Sequence, residues 1–217
     1  MRDVGDEQPM EVAIWSDVVC PFCNVARERA EWLRERGLTV VFLPYDLHPE
    51  YPDEGIPREE LMRRYPEAMH DAVRRLNEEA GLAYNPNPDR VPRTRRALEL
   101  IEWARGHGLP AHDALHSRIM DAYWTEGRDI MDWDVLLACV ADVGLDPDAA
   151  RAEVESGVFA AEVDASTSTA QRHGIRAVPA FVFDGRLLVS GAQPHEVLEA
   201  AIAKVGEMRA EEAAARD

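Results

Sequence analysis

Cysteine is scarce in this chain: three among 217 residues, Cys20, Cys23 and Cys139. Three thiols cannot build a disulfide scaffold, and the odd count argues against obligate pairing. Long hydrophobic runs are missing as well. The longest near the middle, Val135 to Ala141, has seven residues, far below the roughly 18 that a membrane span needs. Positive charge is in short supply, with 24 Lys and Arg against 41 Asp and Glu and a formal charge of −17. Protonating all seven His would still leave the chain at −10. So acidic a chain repels nucleic-acid phosphates and anionic lipid, which argues against nucleic acid or membrane as a partner. The first residues, Met1-Arg-Asp-Val-Gly-Asp-Glu-Gln-Pro, have neither the basic start nor the apolar stretch of a secretion signal. The expected compartment is the cytoplasm, where a CxxC pair is redox-active or metal-binding rather than structural.

What is present suits one large domain, or one domain carrying an insertion, with 46% hydrophobic and 30% charged residues. Residues 11–16 (Glu-Val-Ala-Ile-Trp-Ser) alternate and are β-prone. Pro21 opens a helix predicted over 21–36, with Val25, Ala26, Ala30 and Leu33 on one face. Proline costs nothing at a first helical position, because its missing N–H would be unpaired there. After Gly37, Leu38-Thr-Val-Val-Phe-Leu is a continuous apolar run, expected as a central strand. From about 50 to 156 helix-period segments take over, at 58–80, 93–106, 110–125, 132–143 and 147–156, with no strand expected among them. A further helix at 158–173 leads to Ala180-Phe-Val-Phe and Arg186-Leu-Leu-Val-Ser, joined through Asp184-Gly185 as a tight hairpin turn. A last helix is expected over 194–213.

Removing the helical block leaves βαβαββα. That is an α/β mixed sheet flanked by helices; with the Cys20-x-x-Cys23 pair just after the first strand it points to a thioredoxin-like fold with an inserted all-helical domain. Its parts are a polar tail at 1–10, a thioredoxin-like unit at 11–50 and 157–213, the helical insertion at 51–156 and a tail at 214–217.

Cys20-Pro21-Phe22-Cys23 falls just after the first strand, the setting of a dithiol redox site. Such chemistry needs two sulfurs that can form and break one bond, the outer one available as a thiolate. With a helix starting at Pro21, Cys20 occupies its N-cap, where free N–H groups and the positive end of the helix dipole favour an anion. Cys23, one turn along, is expected to be more deeply buried, so Cys20 is assigned as nucleophile and Cys23 as resolving thiol. Pro21 stiffens the turn. Phe22 cannot donate to a thiolate, so a less oxidising pair is expected than one with Pro-His between its sulfurs. Zinc is the competing use of CxxC, but no second CxxC or His-x₃₋₅-His lies at usable spacing, and His112 and His116 are about 90 residues away. No metal is expected. Cys139 is expected to be a small buried hydrophobe.

Three motifs in order, Ser16-Asp-Val-Val-Cys-Pro-Phe-Cys, Gly174-Ile-Arg-Ala-Val-Pro-Ala-Phe-Val-Phe and Ser190-Gly-Ala-Gln-Pro, resemble the DsbA-like proteins of the FrnE-like group. Leu47-His-Pro-Glu-Tyr-Pro and Ala122-Tyr-Trp-Thr-Glu-Gly-Arg-Asp-Ile extend the resemblance over residues 11 to 203. It implies a thioredoxin fold with a helical insertion and thiol–disulfide exchange with protein disulfides or small thiols. It further implies that Pro179 is cis beside the cysteines, and that the backbone of Val178 pairs with bound substrate. Pro21 and Phe22 would line the substrate site. The same superfamily contains 2-hydroxychromene-2-carboxylate isomerases and kappa-class glutathione transferases, where a Ser typically replaces the first Cys. A glutathione-dependent isomerase or transferase is therefore the alternative activity. No resident cofactor is implied, with glutathione as the one cosubstrate the resemblance allows. Ser190, Gly191 and Ala192 are candidates to offer N–H groups to its carboxylate. This chain departs from the family pattern at Ala177, where Gly is common, at Phe22, where Trp is common, and after Thr94, where no His follows.

Asp17 lies three residues before Cys20, placed either to cap the turn or to influence the pair and take a proton from Cys23 through water. Tyr45, His48 and Tyr51 follow the second strand, where they could face the insertion.

Overall fold

The computed structural model describes residues 9–215. The polar N-terminal tail expected at 1–10 therefore falls largely outside the described residues, as does the end of the C-terminal tail. Four strands form the main sheet: β1 (Glu11–Ser16), β2 (Thr39–Pro44), β5 (Ala180–Phe183) and β6 (Leu187–Ser190), in the order β2-β1-β5-β6. β1 runs parallel to β2 and antiparallel to β5, setting Ile14 opposite Phe42 on one side and Phe181 on the other. β5 and β6 are antiparallel. The three-residue turn between them has positive φ at both Asp184 (49°) and Gly185 (65°), and Arg186 N–H closes it by donating to the Phe183 carbonyl at 2.8 Å.

The alternation along β1 divides the interior. Val12 and Ile14 face one way and join Ala26, Ala30 and Leu33 of α1 (Pro21–Arg34), Phe181, Phe183, and Leu198, Ala201 and Val205 of α9 (His195–Ala214). Ala13 and Trp15 face the other way, toward α8 (Val158–Arg172) and the insertion. The expected central strand is corrected: β2 lies at the sheet edge. Its unbroken apolar run has another cause, because α1, α5 and α8 all pack against it.

The insertion holds α2 (Arg58–Arg64), α3 (Glu67–Glu79), α4 (Arg95–Arg105), α5 (Leu109–Trp124), α6 (Trp133–Asp142) and α7 (Pro147–Glu155). The single helix expected over 58–80 is broken in two at Tyr65-Pro66. Proline disfavours helical geometry in the residue before it, and Tyr65 is extended at φ −124°, ψ 144°. Nor is the insertion wholly helical. β3 (Ile56–Pro57) and β4 (Arg90–Val91) pair antiparallel in a two-residue ladder that pins the root of α2. Asp132 and Asp146 cap α6 and α7 by accepting from the N–H groups of Asp134 and Asp148, both at 2.9 Å.

One continuous apolar core runs from the sheet into the insertion, joining Trp15, Val18 and Cys23 to Leu98, Ile119 and Trp124. Polar ties cross the same boundary. Asp46 accepts both arms of the Arg93 guanidinium, at 2.7 and 2.8 Å. Asn24 Nδ2 donates to Asn77 Oδ1 at 2.8 Å, and Asn77 donates back to the Val73 carbonyl within α3.

Candidate active site around Cys20

Cys20 is the N-cap of α1, with φ −80° and ψ 117° and Pro21 in the first helical turn. The backbone reaches it through a tight turn in which Cys20 N–H donates to the Asp17 carbonyl at 3.1 Å. Its own carbonyl then accepts from Cys23 N–H at 3.0 Å, the start of the helical ladder. The positive end of α1 is thus directed at the Cys20 sulfur. Cys20 keeps 5% of its surface open while Cys23, one turn deeper, keeps none. The Cys20 sulfur is near enough to Cys23 to act on its ionisation. Burial pushes the Cys23 thiol well up, and the adjacent Cys20 sulfur pushes it further in the same direction. A buried thiol with a raised pKa is a poor nucleophile until a proton acceptor or a neighbouring sulfur draws it in.

Opposite the pair lies the loop before β5. The Val178–Pro179 bond is cis, and the Cys20 thiol donates to the Val178 carbonyl at 3.3 Å. Residues 158 positions apart in sequence therefore meet at one sulfur. The turn carrying Cys20 is braced from the insertion, since Trp124 Nε1 donates to the Val18 carbonyl at 2.8 Å.

Asp17 is fully buried behind the turn. Burial pushes its carboxyl up to about 6, against the opposing pull of hydrogen bonds from the N–H groups of Leu47 and Val19 and from Thr94. The Asp17 carboxylate therefore does cap the turn, accepting from Val19 N–H at 3.1 Å and Leu47 N–H at 2.8 Å. Its backbone also opposes the upward push on the Cys23 thiol. Thr94 is thus placed behind the site by contact with Asp17.

Cys20 opens into a cleft of about 310 Å³. Pro21, Phe22, Val178 and Ala177 line it from the thioredoxin unit, and His48 and Tyr51 from the segment after β2, their rings stacked 4.3 Å apart. Tyr45 is buried elsewhere in the core. The far wall comes from the insertion: Leu61 and Met62 of α2, Tyr65 at the helix break, Met69 and Val73 of α3, and Tyr84 stacked on Trp124 at 5.3 Å. Sequence reasoning leads to the insertion as one wall of the groove but does not single out the residues that form it. Their signal was present, as apolar residues at helical spacing on short helices whose other faces carry Arg–Glu pairs such as Arg63–Glu59 and Arg64–Glu60.

Ser190, Gly191 and Ala192 are not among the residues lining the cleft. Gly191 N–H is committed to the Pro179 carbonyl at 2.8 Å, and α9 begins only at His195. Their structural part is to hold the cis-proline loop against the end of β6. Cys139 lies in α6, fully buried, its thiol pushed up by burial. Among the described residues, no three His, Cys, Asp or Glu side chains converge in a way that could hold a metal ion, and no helix is long and apolar enough to cross a membrane.

The family model of the DSBA-like thioredoxin domain matches residues 11–203. The chain belongs to this DSBA-like family. A family member's solved structure, described as a "probable DsbA oxidoreductase" from Streptomyces coelicolor, superposes with a TM-score of 0.81 at 28% identity, over 90% of this chain and 89% of that one. The protein YwbO of Bacillus subtilis, itself uncharacterised, is 26% identical over 89% of this chain and 96% of its own length. The cytosolic disulfide reductase DsbM of Pseudomonas aeruginosa, solved with glutathione, shares the fold at a TM-score of 0.67 and 20% identity, over 89% of this chain and 99% of that one. The DSBA-like fold, the paired cysteines and the cis-proline loop together carry a redox-active, enzymatic character.

Proposed function

We propose that this DSBA-like protein is a thiol–disulfide oxidoreductase in which Cys20 is the nucleophile and Cys23 the resolving thiol. The observation that carries the reading is the junction at Cys20: a sulfur at the cap of α1, open to a cleft, with a buried thiol one turn beneath it and the Val178–Pro179 loop across from it. In the reducing direction Cys20 sulfur, having lost its proton, attacks one sulfur of a substrate disulfide. A Cys20–substrate bond forms, the substrate S–S bond breaks, and one thiolate leaves. Cys23 then yields its proton and attacks the Cys20 sulfur, closing the intramolecular disulfide and expelling the second substrate thiol. The oxidising direction is the same sequence reversed. Pro179 and Val178 hold the substrate segment against Cys20, and Pro21 and Phe22 form its floor.

Protein disulfides and small thiols, glutathione among them, are the proposed substrates, and the FrnE-like group the proposed placement within the family. A cytoplasmic site of action is part of the same reading. It is supported by the low cysteine count and by the shared fold of a relative described as cytosolic. The test is trapping. A Cys23→Ser protein should accumulate as a mixed disulfide through Cys20, visible as a mass increment lost on reduction, while exchange turnover collapses. A variant that keeps full turnover would point instead to a glutathione-dependent isomerase or transferase. One that traps nothing, with Cys20 alkylating no faster than free cysteine, would remove the basis of the proposal.

A further inference from the structure

The charge lining the cleft is opposite to that of the molecule. The protein carries 41 acidic residues and a formal charge of −17, yet none of the residues lining the cleft is Asp or Glu. Two arginines do line it, Arg58 and Arg176. Elsewhere arginines hold carboxylates: Arg93 grips Asp46, Arg95 holds Glu99, Arg105 holds Glu102 and Arg118 holds Asp142. The two cleft arginines differ. Arg58 donates to the carbonyls of Asn87 and Arg90 and to the Tyr123 hydroxyl, all neutral acceptors. Arg176 is exposed, two residues before Val178, and no hydrogen bond or ion pair to it is found among the described residues.

Position makes this charge relevant to chemistry. Val178 touches the Cys20 sulfur, so Arg176 rides on the same short loop that faces the nucleophile. An unneutralised guanidinium at the mouth of a small, low-dielectric apolar cleft attracts an anion more strongly than the same group on open surface. Its planar fork also matches a carboxylate. The cleft volume of about 310 Å³ is at the small end of small-molecule sites.

Resting on the thiol–disulfide reading above, we propose that the cleft selects low-molecular-weight disulfides and thiols bearing a carboxylate near the sulfur, and that Arg176 is the residue that recognises that carboxylate. Bulk charge alone dictates the opposite preference, since a strongly acidic protein draws cations and repels anions. Local and global electrostatics therefore make contrary predictions for one measurable rate.

The experiment uses the full chain with Cys23→Ser, so that each reaction stops at one bond. Cys20 sulfur forms a disulfide with half of the reagent, the reagent S–S bond breaks, and one thiol is released. Three disulfides of matched length supply the charge series: 3,3′-dithiodipropionate (anionic), bis(2-hydroxyethyl) disulfide (neutral) and cystamine (cationic). Each rate, followed by intact mass, is divided by the rate of the same disulfide with mercaptoethanol to cancel intrinsic reactivity. The order expected is anionic over neutral over cationic. Arg176→Gln should reduce the anionic-to-cationic ratio roughly tenfold, as for a unit charge a few ångströms away at an exposed cleft rim, where the effective dielectric lies between that of protein and of water. The effect should shrink as ionic strength rises. Arg151→Gln on α7, an equal change in net charge outside the cleft, should leave the ratio where it was. Thiol loss by the fully reduced wild-type protein repeats the series without the serine. A cationic-first order, or a ratio indifferent to Arg176→Gln, overturns the inference while leaving thiol exchange intact. Failure of all three disulfides to outpace the mercaptoethanol reference overturns the exchange reading instead.

Discussion

Replacing Phe22 by His tests how the dipeptide between the sulfurs sets the redox poise. Phe22 follows Pro21 in the first turn of α1 and lines the cleft beside Cys20. Its ring brings bulk but no donor. An imidazole at the same place adds an N–H, and a positive charge when protonated, within the turn that caps on Cys20. Either stabilises the Cys20 thiolate, and with it the reduced protein, so the reduction potential must rise. One hydrogen bond to a charged group contributes about 1.5–3 kcal/mol. For a two-electron couple that is about 30–60 mV. The assay equilibrates wild type and Phe22→His with dithiol buffers of stepped potential, quenches with an alkylating agent and counts the modified cysteines by mass. Wild type should lie well below the roughly −120 mV of the most oxidising pairs, with the variant 30–60 mV above wild type. A wild-type potential near that oxidising extreme, or a variant equal to or below wild type, would refute the claim that the apolar neighbour keeps this pair less oxidising.

Two further outcomes concern stability. Burial raises the Asp17 carboxyl from 3.8 to about 6, so between those values the folded state holds a proton that the unfolded chain has released. Asp17 then costs nothing below the lower value and its full penalty, about 3 kcal/mol at about 1.4 kcal/mol per tenfold, above the higher one. Urea unfolding of wild type and Asp17→Asn at pH 4 and pH 7 should show wild type losing ground to the variant as pH rises, and parallel curves would show the carboxyl to be unperturbed. At Gly55, φ is +68° and an added Cβ would lie 2.3 Å from the Val91 carbonyl oxygen, whereas at Gly185, φ +65°, it would meet open space. Gly185→Ala should therefore cost about 1–2 kcal/mol from backbone strain alone, and Gly55→Ala at least about 2 kcal/mol more as it parts β3 from β4. Equal urea midpoints for the two variants would show that the close approach at Gly55 is not sustained.

The thioredoxin unit was legible because each of its elements has a local cause. Pro21 fixes the start of α1, Asp184-Gly185 fixes the hairpin, and the alternation of Val12 and Ile14 with Ala13 and Trp15 fixes the two faces of β1. The CxxC spacing then places both sulfurs at one helix end. What stayed hidden was non-local. Ile56–Pro57 and Arg90–Val91 pair only because the chain between them folds back, and two-residue strands carry no periodicity to read. The edge position of β2 escaped notice because helices covering both faces make an edge strand as apolar as a central one. The Tyr65-Pro66 break was visible in the sequence, yet the helical period on either side of it masked it. Ser190 to Ala192 looked like a helix start, but the N–H of Gly191 was already claimed by the Pro179 carbonyl, a contact across strands that no local pattern announces.

The hidden part also gives the site its character. The cysteine turn is short and could not hold its shape alone: its Val18 carbonyl is fixed by Trp124, Asn24 of α1 by Asn77, and Asp46 behind it by Arg93, all three anchors coming from the insertion. The same insertion supplies the wall that faces Cys20, with Met62, Tyr65 and Met69 each more than 40% exposed at its rim. Large apolar groups left open on one face, on short helices whose other faces are solvated by Arg–Glu pairs, have no stabilising role in the isolated chain. They lower its solubility unless something covers them. Flexible Met and flat Tyr side chains adapt to varied apolar surfaces, whereas the Val178 carbonyl is held against Cys20 and Arg176 is carried on the same loop. Recognition at this cleft therefore divides into two parts, a permissive wall that accepts the body of a substrate and a loop that meets its sulfur and its charge. The sequence of the thioredoxin unit alone would describe only the second.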